Sequence, residues 1–358
     1  MSLNVDGLVT AVSGAVAGGH SRSMKNTPLS PRPLSHLSDA PRRVLSAAQL
    51  RAHGVPAAEV SAQSRAGGPW QQVLPGVYLL HPGPPTSEER LHAALLYTGR
   101  RPGPADAPGF GDSMITGLAA LALYRFSSAP PLLSLDRIDV LVPRTRRLRS
   151  TGFVRIVRAT QELPVPQEVT ELPVAPVARA LADAVAQLSD AHTVRRLLTE
   201  AVREGHCEPT AVVRELSRAR LLSRPHVVDA VDSLLAEGRA LAEERLYEMV
   251  RTYALPDPLW NVDLRLPGGP HLGGVDAYWP DHAVAVELDT RAPRQDDDAL
   301  WSEYTRKREH LERLGITVVH ITPGKLREAM EQQAIVVRTA LMAADDRAPA
   351  AYVVVLPR

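Results

Sequence analysis

The chain has 358 residues, a net charge of +1 and 44% hydrophobic residues, so it is long enough for more than one globular core. The single cysteine, Cys207, excludes a disulfide within the chain and favours a reducing cytoplasm. A net charge this close to zero excludes long-range attraction to nucleic acid, so local basic patches must supply any DNA affinity. Aromatic residues make up 4% of the chain, which favours duplex DNA over stacked single strands.

Residues 1–40 are predicted to form a disordered extension. Their apolar stretch, Leu8 to Ala17, is short, is interrupted by a Ser-Gly pair and lacks a basic start. It therefore predicts neither a signal peptide nor a membrane span, and no membrane partner is expected. Several prolines follow it, which is typical of an extension without a packed core.

The first predicted folded elements are two short helices separated by a turn. Ser46 with Gln49 predicts a capping box at the start of the first helix, and Gly54 predicts its end. Pro56 suits the first turn of a second helix because that position needs no N–H donor. This second helix is expected to cover residues 57–66.

A predicted strand hairpin follows from Trp70 to His81, around a Pro-Gly turn, and has the pattern of a wing. The two helices and the segment Leu74 to Tyr78 resemble the N-terminal winged-helix domain of AbiEi-type antitoxins. That family supplies the partner and autoregulator in type IV toxin–antitoxin operons. The resemblance implies a winged helix-turn-helix at residues 41–83 and a cognate toxin as a partner.

A winged helix places its second helix in the major groove of duplex DNA while the wing touches the backbone or the minor groove. In this chain, Gln63 and Arg65 would then contact base edges, and Ser61 or Ser64 would contact phosphate. A small fold of this kind also serves as a protein–protein module, and the second helix carries few positive charges. DNA contact and protein contact are both open for this domain.

The middle of the chain predicts two apolar strands at residues 138–142 and 153–157, with arginines around them. The arginines between the two strands are Arg144, Arg146, Arg147 and Arg149, and Arg155 and Arg158 follow. Such a strip can neutralise DNA phosphates, and its binding would weaken steeply with salt. Because arginine is abundant in this chain, an arginine-rich loop without a ligand explains the strip equally well.

Four stretches with helical periodicity come next, at residues 175–188, 190–204, 209–219 and 224–237. Gly205 and Gly238 predict helix ends. The stretch Val174 to Asp183 resembles a helix of AbiEi-like proteins that joins their middle domain to a helical bundle. The resemblance implies an α+β middle domain with a helical bundle at residues 84–238.

The C-terminal third places three carboxylates inside a predicted apolar strand hairpin, where unpaired charges are costly. Glu287 and Asp289 are two residues apart on one strand and project from the same face, roughly 7 Å apart. A turn at Pro280-Asp281 would bring Asp276 almost opposite Glu287. With Asp276 and Glu287 as metal ligands, such oxygens suit Mg²⁺ or Mn²⁺, which can activate water against a phosphodiester. Pairing of these acids with nearby arginines is the alternative.

The predicted elements around this hairpin are a helix at 242–253, a strand at 262–266, hairpin strands at 273–279 and 283–289, a helix at 300–314 and a strand at 316–321. This order, with acids on the second and third strands, resembles the PD-(D/E)XK nuclease superfamily and its branch related to very-short-patch-repair (Vsr) endonucleases. Glu243 matches the helix glutamate of that pattern, Asp276 the strand aspartate, and Glu287-Leu288-Asp289 the Glu-X-Asp. The resemblance implies a restriction-endonuclease-like αβββαβ domain at residues 239–358.

The chain departs from the Vsr-like pattern after Asp289, where the expected glycine and histidine are missing and no histidine follows until His310. The most plausible general base is therefore absent. Lys307 or Arg306 could stabilise a phosphorane-like transition state, and a place on a solvated helix face suits both residues equally well. The candidate catalytic residues are Glu243, Asp276, Glu287 and Asp289, which the resemblance implies, together with Lys307.

Three functions are open from the sequence of this mixed α/β, multidomain protein. The preferred one is a cytoplasmic DNA-binding regulator of the AbiEi antitoxin kind, without a cofactor. Its degenerate nuclease-fold domain would serve homodimerisation or added contact with duplex DNA. The second is a DNA endonuclease that depends on Mg²⁺ or Mn²⁺, and the third is an assembly protein with no role on nucleic acid.

Overall fold

The computed structural model describes residues 43–99, 110–290, 297–345 and 352–358, and for residues 297–304 and 345 it describes the backbone alone. Within these ranges the chain is mixed α/β, with eleven α-helices and three β-sheets. The mixed class expected from the sequence is thus confirmed. The extension predicted for residues 1–40 lies outside the described residues. Across the described ranges, every helix is too short or too polar to span a membrane.

The two short helices and the hairpin that the sequence predicts are present, and the hairpin belongs to the first sheet. The elements of this region are β1 Val44–Ser46, α1 Ala47–Ala52, α2 Ala57–Gln63, β2 Gln71–Leu74 and β3 Val77–Leu79, and the strand order of the sheet is β1-β3-β2. The predicted capping box is present: the Ser46 side chain accepts from the Gln49 N–H, and the Gln49 side chain accepts from the Ser46 N–H. Gly54 follows α1 with a φ of 78°, in the left-handed region that glycine favours.

A larger sheet occupies the middle of the chain. Its elements are α3 Ser87–Gly99, β4 Met114–Thr116, α4 Gly117–Leu123, β5 Ile138–Val142, β6 Val154–Arg158, β7 Gln167–Val169 and β8 Leu172–Val174, in the strand order β6-β5-β4-β8-β7. β5 is buried along its whole length, parallel to β6 and antiparallel to β4. Leu74 and Leu79 of the first sheet belong to the same buried cluster as Leu95 and Val140, so one hydrophobic core joins the two sheets.

Four helices pack against one another after the middle sheet. They are α5 Val177–Val185, α6 Ala191–Arg203, α7 Pro209–Arg218 and α8 Pro225–Thr252. The prediction that Gly238 ends a helix is wrong, because α8 continues through it as one helix of 28 residues. A Cβ at Gly238 would lie 2.5 Å from Cγ of Pro209, so this glycine allows α7 and α8 to touch. The domain boundary predicted after residue 238 falls inside α8.

The C-terminal sheet has five strands with helices on both faces. Its elements are β9 Leu259–Arg265, β10 His271–Trp279, β11 Val284–Leu288, α9 Asp297–Arg313, β12 Thr317–Ile321, α10 Pro323–Glu328, α11 Met330–Asp345 and β13 Val354–Pro357. The strand order is β12-β11-β10-β9-β13, and β11 and β12 are parallel. The predicted order of helix, three strands, helix and strand is present. β13, which the sequence analysis did not predict, adds a fifth strand beside β9.

Alternate residues of β10 face two separate hydrophobic cores. Trp279 packs with Leu246 of α8 and Val337 of α11 on one face of the sheet. Tyr278 packs with Leu311 of α9 on the other face. The sheet is therefore enclosed by helices that also carry charged side chains to the ends of its strands.

Candidate functional site

The hairpin between β10 and β11 places Asp276 and Glu287 at adjoining positions. Ala277 pairs with Val286 in the antiparallel ladder, so Asp276 and Glu287 follow as the next two facing residues. The chain reverses through the short helical turn Pro280–His282, where the sequence predicts the turn. The prediction that Asp276 lies almost opposite Glu287 is confirmed.

Asp276 is 7% exposed, and each of its carboxylate oxygens has a donor. Oδ1 accepts a hydrogen bond of 2.7 Å from Nη2 of Arg239, and Oδ2 accepts one of 2.7 Å from the backbone N–H of Leu288. Nε of Arg239 also donates to Oε1 of Glu243 at 2.8 Å. Arg239 therefore joins Asp276 to Glu243 as a charged bridge.

Arg239 is the residue of this cluster on α8 that the sequence analysis missed. It lies four residues before Glu243 on the same helix, a spacing at which side chains of opposite charge meet. That spacing was available in the sequence as a signal. The incorrect helix end at Gly238 concealed it, because it placed Arg239 outside both predicted helices.

Glu287 is 5% exposed and forms an ion pair with Lys307 of α9. Nζ of Lys307 also donates to the backbone carbonyl of Gly274 at 2.6 Å, which fixes the ammonium group between strand and helix. A Cβ at Gly273 would lie 2.6 Å from Cε of Lys307, and the φ of Gly273 is 114°. Glycine at this position therefore lets the lysine cross β10 to reach Glu287.

His320 of β12 supplies a histidine beside Glu287. The two residues face each other in the parallel ladder, and Nδ1 of His320 lies 3.8 Å from Oε2 of Glu287. Burial lowers the pKa of His320 below its ordinary value, although the carboxylates of Glu287 and Asp289 oppose that shift. The expectation that the site lacks a histidine is wrong, because parallel strand pairing brings one from the following strand.

Asp289 and Arg306 lie at the margin of this cluster. Asp289 is half-buried beyond the end of β11, and its N–H donates to the carbonyl of Ile321 at 2.9 Å. Its carboxylate is near enough to affect His320 but is not part of the ion pairs around Asp276 and Glu287. Arg306 is exposed on α9, so of the two basic residues proposed there only Lys307 is brought to the acids.

The site does not fit a divalent cation as it is arranged. Arg239 and Lys307 are paired with the two acids that the sequence analysis assigned as metal ligands. In the part of the chain that the structure describes, no three or more His, Cys, Asp and Glu side chains are grouped to hold a metal ion. The arrangement can hold charge in place, and neutral His320 can accept a proton. This arrangement therefore supports no chemical step that uses a metal ion.

The residues predicted to contact DNA at the second short helix divide into two pairs. Ser61 and Arg65 are exposed, and Arg65 lies just beyond the end of α2. Gln63 donates from its side-chain amide to Oε1 of Glu59 at 2.7 Å, and the Ser64 hydroxyl donates to the Val60 carbonyl at 2.8 Å. Two of the four therefore already have hydrogen-bond partners within the helix.

The arginine strip also divides in the structure. Arg144, Arg147 and Arg149 are exposed. Arg146 donates from Nη2 to the carbonyls of Thr98 at 3.1 Å and Gly99 at 2.9 Å, so it ties the loop to the end of α3. Arg155 and Arg158 likewise donate hydrogen bonds to the protein itself, so among the described contacts three of the six arginines are held within the protein.

The loop with the three exposed arginines packs against the hairpin of the first sheet. A Cβ at Gly152, near the end of this loop, would lie 3.4 Å from Cδ2 of Leu74 in β2. The loop carbonyl of Arg149 accepts a hydrogen bond of 2.8 Å from the hydroxyl of Tyr97 in α3. The hairpin and the exposed arginines are therefore neighbours on one part of the molecule.

A second cluster of buried charges, which the sequence analysis missed, lies in the middle sheet. Asp139 pairs with Arg155, while Asp183 accepts from the Thr116 hydroxyl at 2.7 Å and from Nε of Arg179 at 3.0 Å. Burial raises the pKa of Asp139 to about 6, and the charge of Asp183 adds to the rise, although Arg155 opposes it. A lone acid within an apolar strand was the available signal.

No protein-family model matches the chain, and no curated protein matches its sequence. The resemblances to AbiEi-type antitoxins and to Vsr-like nucleases therefore stay predictions that rest on their motif residues. Two regions of the described structure bear on function: the hairpin with its neighbouring arginine loop, and the buried carboxylates of the C-terminal sheet.

Proposed function

We propose that the protein is a DNA-binding regulator whose first sheet and arginine loop contact duplex DNA. In this proposal the first sheet with α1 and α2 is a winged helix, and the C-terminal sheet domain is a nuclease-like fold that does not cut. The observation that carries the proposal is the closeness of Gly152 to Leu74 of the hairpin, since a Cβ at Gly152 would lie 3.4 Å from Cδ2 of Leu74. The loop with the exposed residues Arg144, Arg147 and Arg149 leads directly to this glycine.

The charge of the first sheet supports DNA contact. Residues 43–81 carry three arginines, Arg43, Arg51 and Arg65, and all three are exposed. Their one acidic residue, Glu59, is half-buried and holds the amide of Gln63. The exposed charge of this unit is therefore positive even though the whole chain is almost neutral, which is the local pattern that phosphate binding needs.

The surface of α2 suits close approach to a groove. Ala58, Ser61 and Ala62 are exposed and small, so this face of the helix can approach the bases closely. Arg65 follows at the end of the helix. In the proposed complex, α2 enters the major groove while the hairpin and the arginine loop contact the backbone beside it.

The test is fluorescence anisotropy with a labelled duplex of about 30 base pairs, at several salt concentrations and in EDTA. The triple variant Arg144→Ala, Arg147→Ala and Arg149→Ala is expected to bind at least 10-fold more weakly, with a salt slope shallower by about 2 to 3. A second variant, Ser61→Ala with Arg65→Ala, should also weaken binding.

The matched control is Arg214→Ala, an exposed arginine on α7, which should leave duplex affinity and the salt slope unchanged. Equal affinities for the wild type, the control and the triple variant would show that the arginine loop does not meet DNA. The proposed function would then be wrong.

A DNA endonuclease is the second candidate, because Asp276, Glu287 and Lys307 converge with His320 at one end of the C-terminal sheet. The test is incubation of supercoiled plasmid with the purified chain, with and without manganese, alongside Asp276→Ala and Glu287→Ala. Nicking by the wild type that disappears in both variants would establish the endonuclease. Intact plasmid under every condition would leave the regulator.

A further inference from the structure

We propose that Arg239 occupies the cation position of the Asp276 carboxylate, so that the site binds neither Mg²⁺ nor Mn²⁺ while Arg239 is paired. The inference rests on the proposed function, because it explains why a nuclease-like sheet would not cut. It also assigns a role to a residue outside the motif positions. Arg239 is a positioning residue that controls access of divalent cations to Asp276.

The geometry at Asp276 supports this substitution. The guanidinium of Arg239 lies between two carboxylates, at 2.7 Å from Oδ1 of Asp276 and 2.8 Å from Oε1 of Glu243. The backbone N–H of Leu288 donates a hydrogen bond to Oδ2 of Asp276. A divalent cation bound to Oδ1 at the Mg²⁺ distance of about 2.0 to 2.1 Å would meet the guanidinium charge at close range.

Helix packing holds Arg239 in this position. The residue before it, Gly238, is in close contact with Pro209 of α7, and α8 continues without interruption to Glu243 and beyond. The Cα of Arg239 is therefore fixed relative to the bundle, while its side chain remains 40% exposed. The guanidinium can leave by side-chain rotation alone, without any change in the backbone.

Lys307 is a less accessible counterpart at Glu287. Its side chain is 22% exposed and is also tied to the carbonyl of Gly274. Among the described residues, the hydrogen bonds of the Arg239 side chain are both to carboxylates and none is to a backbone carbonyl. Of the two cations, Arg239 is thus the one whose removal leaves a partly accessible pair of acids, Asp276 and Glu243, without a positive charge.

The experiment is isothermal titration of MnCl₂ into the full chain, comparing the wild type with Arg239→Met. Arg251→Met is the control, because Arg251 is an exposed arginine on the same helix. We expect Arg239→Met to bind Mn²⁺ at least 10-fold more tightly than the wild type and the control. Adding Asp276→Asn to Arg239→Met should abolish the gain. Equal Mn²⁺ affinity in the wild type and Arg239→Met would overturn the proposal.

A second variant keeps the test decisive if Arg239→Met does not fold. Arg239→Gln removes the charge but retains a hydrogen-bond donor for Asp276, and thermal melting with and without Mn²⁺ replaces titration. A rise in Tm with Mn²⁺ in Arg239→Gln but not in the wild type supports the proposal, whereas equal shifts overturn it. DNA binding is measured separately in EDTA with the arginine-loop variants, so failure of the proposed function and failure of this inference are distinguishable.

Discussion

Two of the three sheets bury a pair of carboxylates against a pair of basic side chains, and they differ in how accessible those pairs are. The middle cluster consists of Asp139 and Asp183 with Arg155 and Arg179. The C-terminal cluster consists of Asp276 and Glu287 with Arg239 and Lys307. Residue types and burial of the acids are alike, so neither property alone distinguishes a functional site from a structural one.

Neutral polar groups complete the middle cluster. The Gln187 amide donates to Oδ2 of Asp139 at 3.0 Å, and the Thr116 hydroxyl donates to Asp183. Gly117 has a φ of 62°, and a Cβ there would lie 2.4 Å from Oδ2 of Asp139, so the backbone itself covers that carboxylate. The surroundings thus fix every charge in place, which is the arrangement expected of a structural cluster.

The C-terminal cluster differs because one of its cations is more exposed than either cation of the middle cluster. The Arg239 side chain is 40% exposed, against 29% for Arg155 and 16% for Arg179. His320 adds a proton acceptor beside Glu287. The two clusters therefore differ in the access of solvent to the basic partner more than in the burial of the acid.

The largest expected effect is from Arg155→Met, which leaves Asp139 buried without its charged partner. We expect a loss of roughly 3 kcal/mol in unfolding free energy, because an uncompensated buried carboxylate is costly. Urea unfolding at about pH 8, where Asp139 is ionised, measures it. Arg144→Met, at an exposed arginine, is the control and should change stability little. A loss in unfolding free energy below about 1 kcal/mol would show that the middle cluster is not shielded from water.

The second-largest effect is expected in the pH dependence of stability, through the titration of Asp139. Its folded-state pKa of about 6 lies above the ordinary value of 3.8, so the folded chain holds this proton more tightly than the unfolded chain. The contribution of Asp139 to stability is then greatest below about pH 4, falls as pH rises to about 6, and is constant above, a change of roughly 2 to 3 kcal/mol.

Asp139→Asn removes this titration, so the wild type should lose stability relative to the variant between about pH 4 and pH 6. Urea unfolding of both proteins across that range provides the difference, and the groups they share cancel. Parallel stability curves for the two proteins would contradict burial as the cause of the raised pKa.

Arg239→Met should lower the free energy of unfolding by less than Arg155→Met does, by roughly 2 kcal/mol without metal. Water can reach the carboxylates that lose Arg239 as their partner, so their charge is less costly. Asp276 also retains the N–H of Leu288 as a donor. Urea unfolding in EDTA under matched conditions compares the two variants directly. If both variants lose the same free energy of unfolding, the two clusters are equally shielded from water and the contrast between them fails.

The smallest effect is expected from Gly238→Ala, on the helix that joins the two regions. Alanine inside a helix ordinarily stabilises it by about 1 kcal/mol relative to glycine. Here the new Cβ would meet Pro209, so we expect a loss of about 1 kcal/mol instead. Thermal or urea unfolding shows whether Gly238→Ala raises or lowers the stability. The double variant with Pro209→Ala should recover the loss, and a stabilising Gly238→Ala would show that α7 and α8 are less closely packed.

Local features of this protein were predictable from the sequence because neighbouring residues decide them. The capping box of Ser46 and Gln49 depends on a few adjacent residues, and β5 matches its predicted range of 138–142. The position of Asp276 opposite Glu287 follows from a turn only a few residues away. In a hairpin, the turn sets the register, so the pairing needs no information from the rest of the chain.

Contacts that close over long stretches of chain were decided by the tertiary structure alone. His320 reaches Glu287 because β12 pairs in parallel with β11 after α9 has crossed the sheet, and no local pattern specifies that register. Arg239 reaches Asp276 because α8 continues through Gly238, and the missing side chain of Gly238 leaves room for Pro209 of α7. The sequence by itself therefore determined the elements and the acids, whereas packing between distant elements decided which basic side chains neutralise them.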